Sequence, residues 1–205
     1  MDTRIIDARQ PGALETAEEI LKAGSLIAFP TDTVYGLGAL AFDEEAVRSI
    51  YAAKGRSEEK AIPILLGDAA DLDRVAHSLP PTARRLARRF WPGPLTLVVR
   101  KRADLPSAVS STNTVGVRVP DHAVARALLR RSGPLAVTSA NVSGQASPRT
   151  AGEVLQQLGG RIPLILDGGP TPGGIPSTVL DCTQPEPVVL RAGPLALDDI
   201  MAALE

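Results

Sequence analysis

Residues 25–53 read SLIAFPTDTVYGLGALAFDEEAVRSIYAA, and the fold class turns on this stretch. Ser25–Phe29 is a short apolar run ended by Pro30, which marks a buried strand. A polar, glycine-containing loop follows. Asp43 then caps a helix running through Ala53, with Glu44 and Glu45 in its first turn where the helix dipole favours acids. Strand, loop, helix is the grammar of an α/β domain, and it continues in both directions. Upstream, Leu14, Ala17, Ile20 and Leu21 form a helical stripe across Ala13–Ala23, with Gly24 as its stop. Downstream, strands are expected at Ile62–Leu66, Leu95–Arg100, Val115–Val119 and Leu135–Thr138. Helices are expected at Pro81–Phe90, from an Asp121 cap to Arg131, and from a Thr150/Glu153 capping box to Leu158. Leu164–Leu166, Val179–Cys182 and Val188–Leu190 read as three late strands before a closing helix, Leu197–Leu204. Late strands with no helix between them argue a mixed rather than a purely parallel sheet.

Composition narrows the class. The chain has 205 residues, 44% hydrophobic and 22% charged, with 18 Gly and 18 Pro. That balance fits a globular chain rich in loops and excludes disorder and collagen-like structure. With no repeat or Gly/Ser linker, residues 1–205 are expected to form a single domain. Aromatics are 3%, too few for a base-stacking sheet. One cysteine, Cys182, rules out a disulfide framework or a cysteine zinc cage. Without an apolar signal core or a run of membrane-spanning length, the expected location is the cytoplasm. The net charge of −1 conceals a segregation: residues 1–47 carry −6 and residues 48–102 carry +7. The basic segment could meet phosphates, although Arg84, Arg85, Arg88 and Arg89 alone suit a solvated helix face.

Two motifs are decoys. Gly36-x-Gly38-x-x-Ala41 spells a dinucleotide fingerprint, but Pro30 ends the strand five residues too early and acids open the helix behind it. Ser57-x-x-Lys60 with Ser139-x-Asn141 imitates a penicillin-recognising pair, yet its Lys-Thr-Gly partner is absent. What remains are polar segments at strand-to-loop junctions, where α/β sheets place their sites. They are PTDTVYGLG (30–38), KGRSEEKAIPILL (54–66), VGVRVP (115–120), TSANVSG (138–144) and PSTVLD (176–181), together with the arginine ending VVLR (188–191). They supply hydroxyls, backbone amides and fixed cations, which suit carboxylates and phosphates. Of four lysines beside eighteen arginines, Lys54 and Lys60 share one stretch with Arg56. On VGVRVP the valines share one strand face and Arg118 lies on the other. An arginine buried there requires either an anionic ligand or a salt bridge, to Asp121 or another acid.

With FWPGPLT (90–96) added, these segments appear in the order seen in the YrdC-like family of threonylcarbamoyl-adenylate synthases. The chain resembles that family from Ser25 to Gly193, in its short, single-domain form. The resemblance implies a twisted, mixed, open sheet flanked by helices around a concave basic site. It also implies a reaction in which L-threonine, bicarbonate and ATP give threonylcarbamoyl-adenylate and pyrophosphate. The product would pass to threonylcarbamoyl-transfer proteins and modify tRNA beside the anticodon. By the same resemblance, Lys54, Arg56 and Lys60 face the triphosphate, Mg²⁺ arrives with ATP, and no protein side chain holds a metal. Thr33, Arg118, Thr138 and Ser177 match threonine-binding positions. Thr114, Ser139, Asn141, Ser143 and Arg191 match positions lining the nucleotide. Ser57 stands where the family commonly has proline, and Leu65 where some members have histidine. The competing readings are a carbamoyl-transfer module, which would need additional zinc-finger and phosphatase-like segments, and a non-catalytic RNA-binding protein.

Overall fold

The computed structural model describes residues 2–173, 175–184 and 186–204. Among them, ten strands form one open mixed sheet. In chain order the strands are β1 (Arg4–Asp7), β2 (Ile27–Phe29), β3 (Gly36–Leu40), β4 (Ile64–Leu65), β5 (Leu95–Arg100), β6 (Thr114–Arg118), β7 (Leu135–Ser139), β8 (Leu164–Asp167), β9 (Thr178–Asp181) and β10 (Val188–Arg191). The helices are α1 (Ala13–Lys22), α2 (Glu44–Lys54), α3 (Pro81–Phe90), α4 (Ala123–Ser132), α5 (Ala151–Leu158) and α6 (Leu197–Ala202). Across the sheet the strands run β1-β8-β2-β3-β7-β4-β6-β5-β9-β10. Parallel pairs (β1–β8, β2–β8, β4–β6, β5–β9) are mixed with antiparallel ones, and the central run β2-β3-β7-β4 is wholly antiparallel. No helix among the described residues is long and apolar enough to cross a membrane.

The period-two alternation of the strands divides the core into two layers. Ile27, Phe29, Leu65, Leu135, Val137, Leu164 and Leu166 face α1 and α4, packing on Ala17, Leu21, Ala125 and Leu128. Their neighbours Ala28, Ile64, Ala136 and Ile165 face the other layer, with Leu97, Val117, Ile50, Leu86 and Val154. The α1/α4 layer contains no residue of β5, β6, β9 or β10. Among the described residues that half of the sheet face has no helical cover, and the site forms where it meets β3, β4 and β7.

Asp43 caps α2, its carboxylate accepting from the Ala46 N–H at 3.0 Å. Thr150 accepts from the Glu153 N–H at 3.2 Å, while the Glu153 carboxylate reaches one residue further back, to the Arg149 N–H at 2.6 Å. Asp121 does not cap α4: the helix starts at Ala123 after His122, with no side-chain cap bond. β1 and β3 were not expected as strands. β3, GLGAL, carries no β-branched residue, yet it lies paired between β2 and β7. Its glycines stand where neighbouring side chains pack closely. A Cβ on Gly36 would come within 2.7 Å of Val137 Cγ1, and one on Gly38 within 3.0 Å of Phe29 Cε1.

Gly38→Val therefore overfills the seam between β2 and β7. It should cost about 1–3 kcal/mol, seen as a lower urea midpoint with an unchanged m-value.

Candidate functional site

A cavity of about 280 Å³ occupies the uncovered part of the sheet face. Its cations are Arg56, Arg118 and Arg191, and its hydroxyls include Thr33, Thr96, Thr138, Ser139 and Ser177. Pro63 and Leu65 supply apolar wall. Gly116 lets Thr96 and Pro63 approach its backbone closely, since a Cβ there would sit 3.0 Å from Thr96 Cγ2 and 3.4 Å from Pro63 Cβ. Among the described residues lining the cavity there is no histidine, cysteine or carboxylate. No group of three or more His, Cys, Asp or Glu among the described residues is placed to hold a metal.

Arg118, at the end of β6, is 6% exposed. Its Nε donates to the Gly93 carbonyl at 3.0 Å and its Nη1 to Thr33 Oγ1 at 3.2 Å, while Nη2 forms an ion pair with Asp32. The acid that meets Arg118 is thus Asp32, not Asp121. Burial pulls the Arg118 pKa down, Asp32 opposes that, and the positive charge of Arg191 adds to it. Arg191, from β10, donates twice to the Ser177 carbonyl at 3.1 and 2.9 Å and once to Ser177 Oγ at 3.2 Å. Ser177 Oγ lies 2.7 Å from Thr96 Oγ1. With Arg191 donating to the pair and one hydroxyl hydrogen used between the two oxygens, one O–H remains free to donate to a ligand.

The basic stretch after α2 divides in two. Arg56 lines the cavity, its Nη1 donating to Thr138 Oγ1 at 3.4 Å and its Nη2 to the Lys60 and Ala61 carbonyls at 3.2 and 3.1 Å. Its Nε is buried without a partner. Lys54 is turned away from the cavity. At 1% exposure, its ammonium donates to the Ser139 carbonyl and to the Asn141 carbonyl at 2.6 Å. The Lys54 carbonyl in turn accepts from the Ser143 N–H at 2.9 Å. Lys54 therefore clasps the loop after β7 from behind. Burial, with help from Arg56, lowers its pKa from 10.5 to about 8.

Of the sequence candidates, Thr33, Arg56, Arg118, Thr138, Ser139, Ser177 and Arg191 come together around the cavity. Lys54, Lys60, Thr114, Asn141 and Ser143 are not part of its wall. Lys60 is exposed. Thr114 bonds to Thr112 Oγ1 at 2.9 Å. Asn141 turns its amide N–H groups onto the Val142 and Gln145 carbonyls at 2.8 and 2.9 Å, leaving Oδ1 buried and unpartnered. Sequence reasoning missed Thr96 and Asp32. Thr96 was in view within FWPGPLT, and strand alternation from Leu95 and Leu97 would have turned it to the face of Arg118. A wider, shallower groove of about 490 Å³ lies on the outer side of α2, where Arg48 bonds Glu44 and Glu58 at 2.7 and 2.5 Å.

Comparison with known proteins gives a consistent result. The Sua5_yciO_yrdC family model, described as "Telomere recombination", matches residues 19–193. The threonylcarbamoyl-AMP synthase of Bacillus subtilis (strain 168) is 44% identical over 191 residues, which is 92% of this chain and 55% of that protein. The threonylcarbamoyl-AMP synthase of Pyrococcus abyssi (strain GE5 / Orsay) is 44% identical over 189 residues, covering 91% of this chain and 56% of that one. The crystal structure of P. abyssi Sua5 complexed with L-threonine superposes with a TM-score of 0.95 at 42% identity, covering 98% of this chain and 61% of that one. The chain thus spans just over half the length of these two curated relatives.

The Lys54 clasp has a pH signature. Its folded-state pKa lies below its unfolded value, so between pH 8 and 10.5 the unfolded chain binds more protons and stability rises with pH. Below pH 8 the penalty is present in full. The unfolding free energy of the wild type minus that of Lys54→Met should grow across that window in urea titrations. A flat difference would refute the depressed pKa.

Proposed function

The chain belongs to the Sua5/YciO/YrdC family, and from that premise we propose that it joins L-threonine, bicarbonate and ATP into threonylcarbamoyl-adenylate and pyrophosphate, in the service of tRNA modification. The observation that supports this best is the buried Arg118 beside a wall of hydroxyls, with two further guanidiniums in the same cavity. A carboxylate fits Arg118, which has N–H groups left on both terminal nitrogens after its three protein bonds. Thr33, Thr138, Ser177 and the free O–H of the Thr96–Ser177 pair are the groups available to the threonine hydroxyl and carbamate. Arg56 and Arg191, with Lys60 on the same stretch as Arg56, face the phosphates of ATP, whose nucleoside runs toward Thr114 on β6, Ser139 at the end of β7, and Asn141 and Ser143 in the loop after it.

The chemistry needs little from the protein beyond position and charge. The threonine amine condenses with bicarbonate to a carbamate, losing water, and a carbamate oxygen attacks the α-phosphorus while pyrophosphate leaves. A carbamate is already anionic, so no side chain has to activate the nucleophile. This matches a wall of guanidiniums and hydroxyls. Mg²⁺ carried on ATP would offset charge on the leaving pyrophosphate; among the described residues the cavity wall offers it no carboxylate. Transfer proteins that accept the adenylate, and tRNA beyond them, complete the proposal.

Pyrophosphate release should require ATP, L-threonine and bicarbonate together, each omission reducing it to background. L-Serine should be used less well, since one missing methyl is worth about 1–3 kcal/mol. L-Valine should fare worse, because it leaves the hydroxyl wall without a partner. Equal turnover of valine and threonine would refute this pocket assignment.

A further inference from the structure

We propose that Asp32 is a positioning residue for amino-acid binding: it holds the Arg118 guanidinium in the orientation that receives the substrate carboxylate, without touching the substrate. The proposal rests on the threonine reading above. Arg118 is buried and Asp32 mostly so, at 7% and 12% side-chain exposure. Thr31, Thr33 and Val34 line the cavity, whereas Asp32 between them does not and meets the cavity through Arg118.

The turn carrying Asp32 is built to hold it there. Thr31 Oγ1 accepts from the Thr33 and Val34 N–H groups at 3.2 and 3.3 Å and lies 2.7 Å from the Val34 carbonyl oxygen and 3.1 Å from Thr33 Oγ1. This knot fixes residues 31–34 as a cup whose two adjacent side chains both accept from Arg118. The Gly93 carbonyl fixes the third edge through Nε. Each guanidinium nitrogen thus has one N–H anchored. The two that remain, one on Nη1 and one on Nη2, match the spacing of a carboxylate. Among the described residues, Arg56 and Arg191 form no ion pair, so Arg118 alone of the three cavity cations has a counter-ion in place.

A residue that acts through Arg118 should lose its influence when the fork is gone. Steady-state pyrophosphate release would be measured for the wild type, Asp32→Asn, Asp32→Ala, Arg118→Lys and both double variants. The amide retains the shape and one acceptor but not the charge. The expectation is a threonine KM raised about tenfold or more in Asp32→Ala and less in Asp32→Asn, with the ATP KM unchanged. In the Arg118→Lys background, either Asp32 change should alter the threonine KM by less than about twofold. Should Asp32→Ala not fold, Asp32→Asn carries the same comparison. Losses of equal size in both backgrounds would overturn the proposal. So would a lowered melting temperature with an unchanged KM, which marks a purely structural ion pair. A fall in threonine KM in Asp32→Asn would also overturn it, showing that Asp32 competes with the substrate for Arg118. A wild type that releases no pyrophosphate with threonine overturns the functional reading itself, whereas an active wild type with an indifferent Asp32 overturns only this inference.

Discussion

Burying a guanidinium in the face of a sheet imposes a strict condition on everything around it. The charge must be met by an anion, and its N–H groups by acceptors, or the fold loses more than packing can return. Arg118 meets that condition with three segments far apart in sequence: the 31–34 turn, the Gly93 carbonyl before β5, and its own strand β6. Each contact fixes a loop at the carboxyl end of a strand, or at its entry, relative to the sheet. The uncovered half of the sheet face gives the site its space, and the Arg118 knot gives it its shape.

The second fixed point is Lys54. In sequence it belongs to a basic cluster, a context that suits phosphate. In the structure its position at the end of α2 places the ammonium beneath the loop after β7, where carbonyls converge. A deprotonated amine has two N–H groups, enough for the two carbonyls it meets, so the clasp survives its own titration. The burial that lowers the Lys54 pKa also keeps it from the cavity. Arg56, two residues on and beyond the left-handed Gly55, points the other way, onto the cavity wall. One turn of chain separates a cation that organises the loop from one that is available to a ligand.

Which parts were legible in the sequence follows from the range of the forces involved. Local signals gave α2, its Asp43 cap, α3 and β5 almost to the residue, because caps, proline and apolar periodicity act within a few positions. β3 escaped because GLGAL has no strand propensity of its own; pairing on both edges makes it a strand, and that is a tertiary effect. The ordered motifs contain the seven candidate residues that line the cavity, and strand alternation puts Arg118 on its face. The identity of its counter-ion did not follow. Asp32 and Arg118 are 86 positions apart, whereas Asp121 was the nearer acid in sequence, and only the fold decides between them. The same limit hid the role of Lys54, since a lysine on carbonyls and a lysine on phosphate share one sequence context.

The charges that remain after internal pairing divide the cavity. Arg118 is neutralised by Asp32 but retains directed N–H groups, so it offers geometry more than net charge, which suits a small amino acid whose own charges cancel. Arg56 and Arg191 bond carbonyls and hydroxyls, leaving their charges uncompensated by any carboxylate among the described residues. That suits a polyanion, whose attraction to unpaired cations grows as water leaves the cavity. The rest of the basic segment does not contribute to this field in the same way. Arg84 pairs with Asp73 at 2.9 Å and Arg85 donates to the Leu204 carbonyl at 2.7 Å, both on the surface of α3. The +7 of residues 48–102 is therefore not a single phosphate-binding patch. One of its cations faces the cavity, another braces the loop beside it, and the run on α3 is spent on surface contacts.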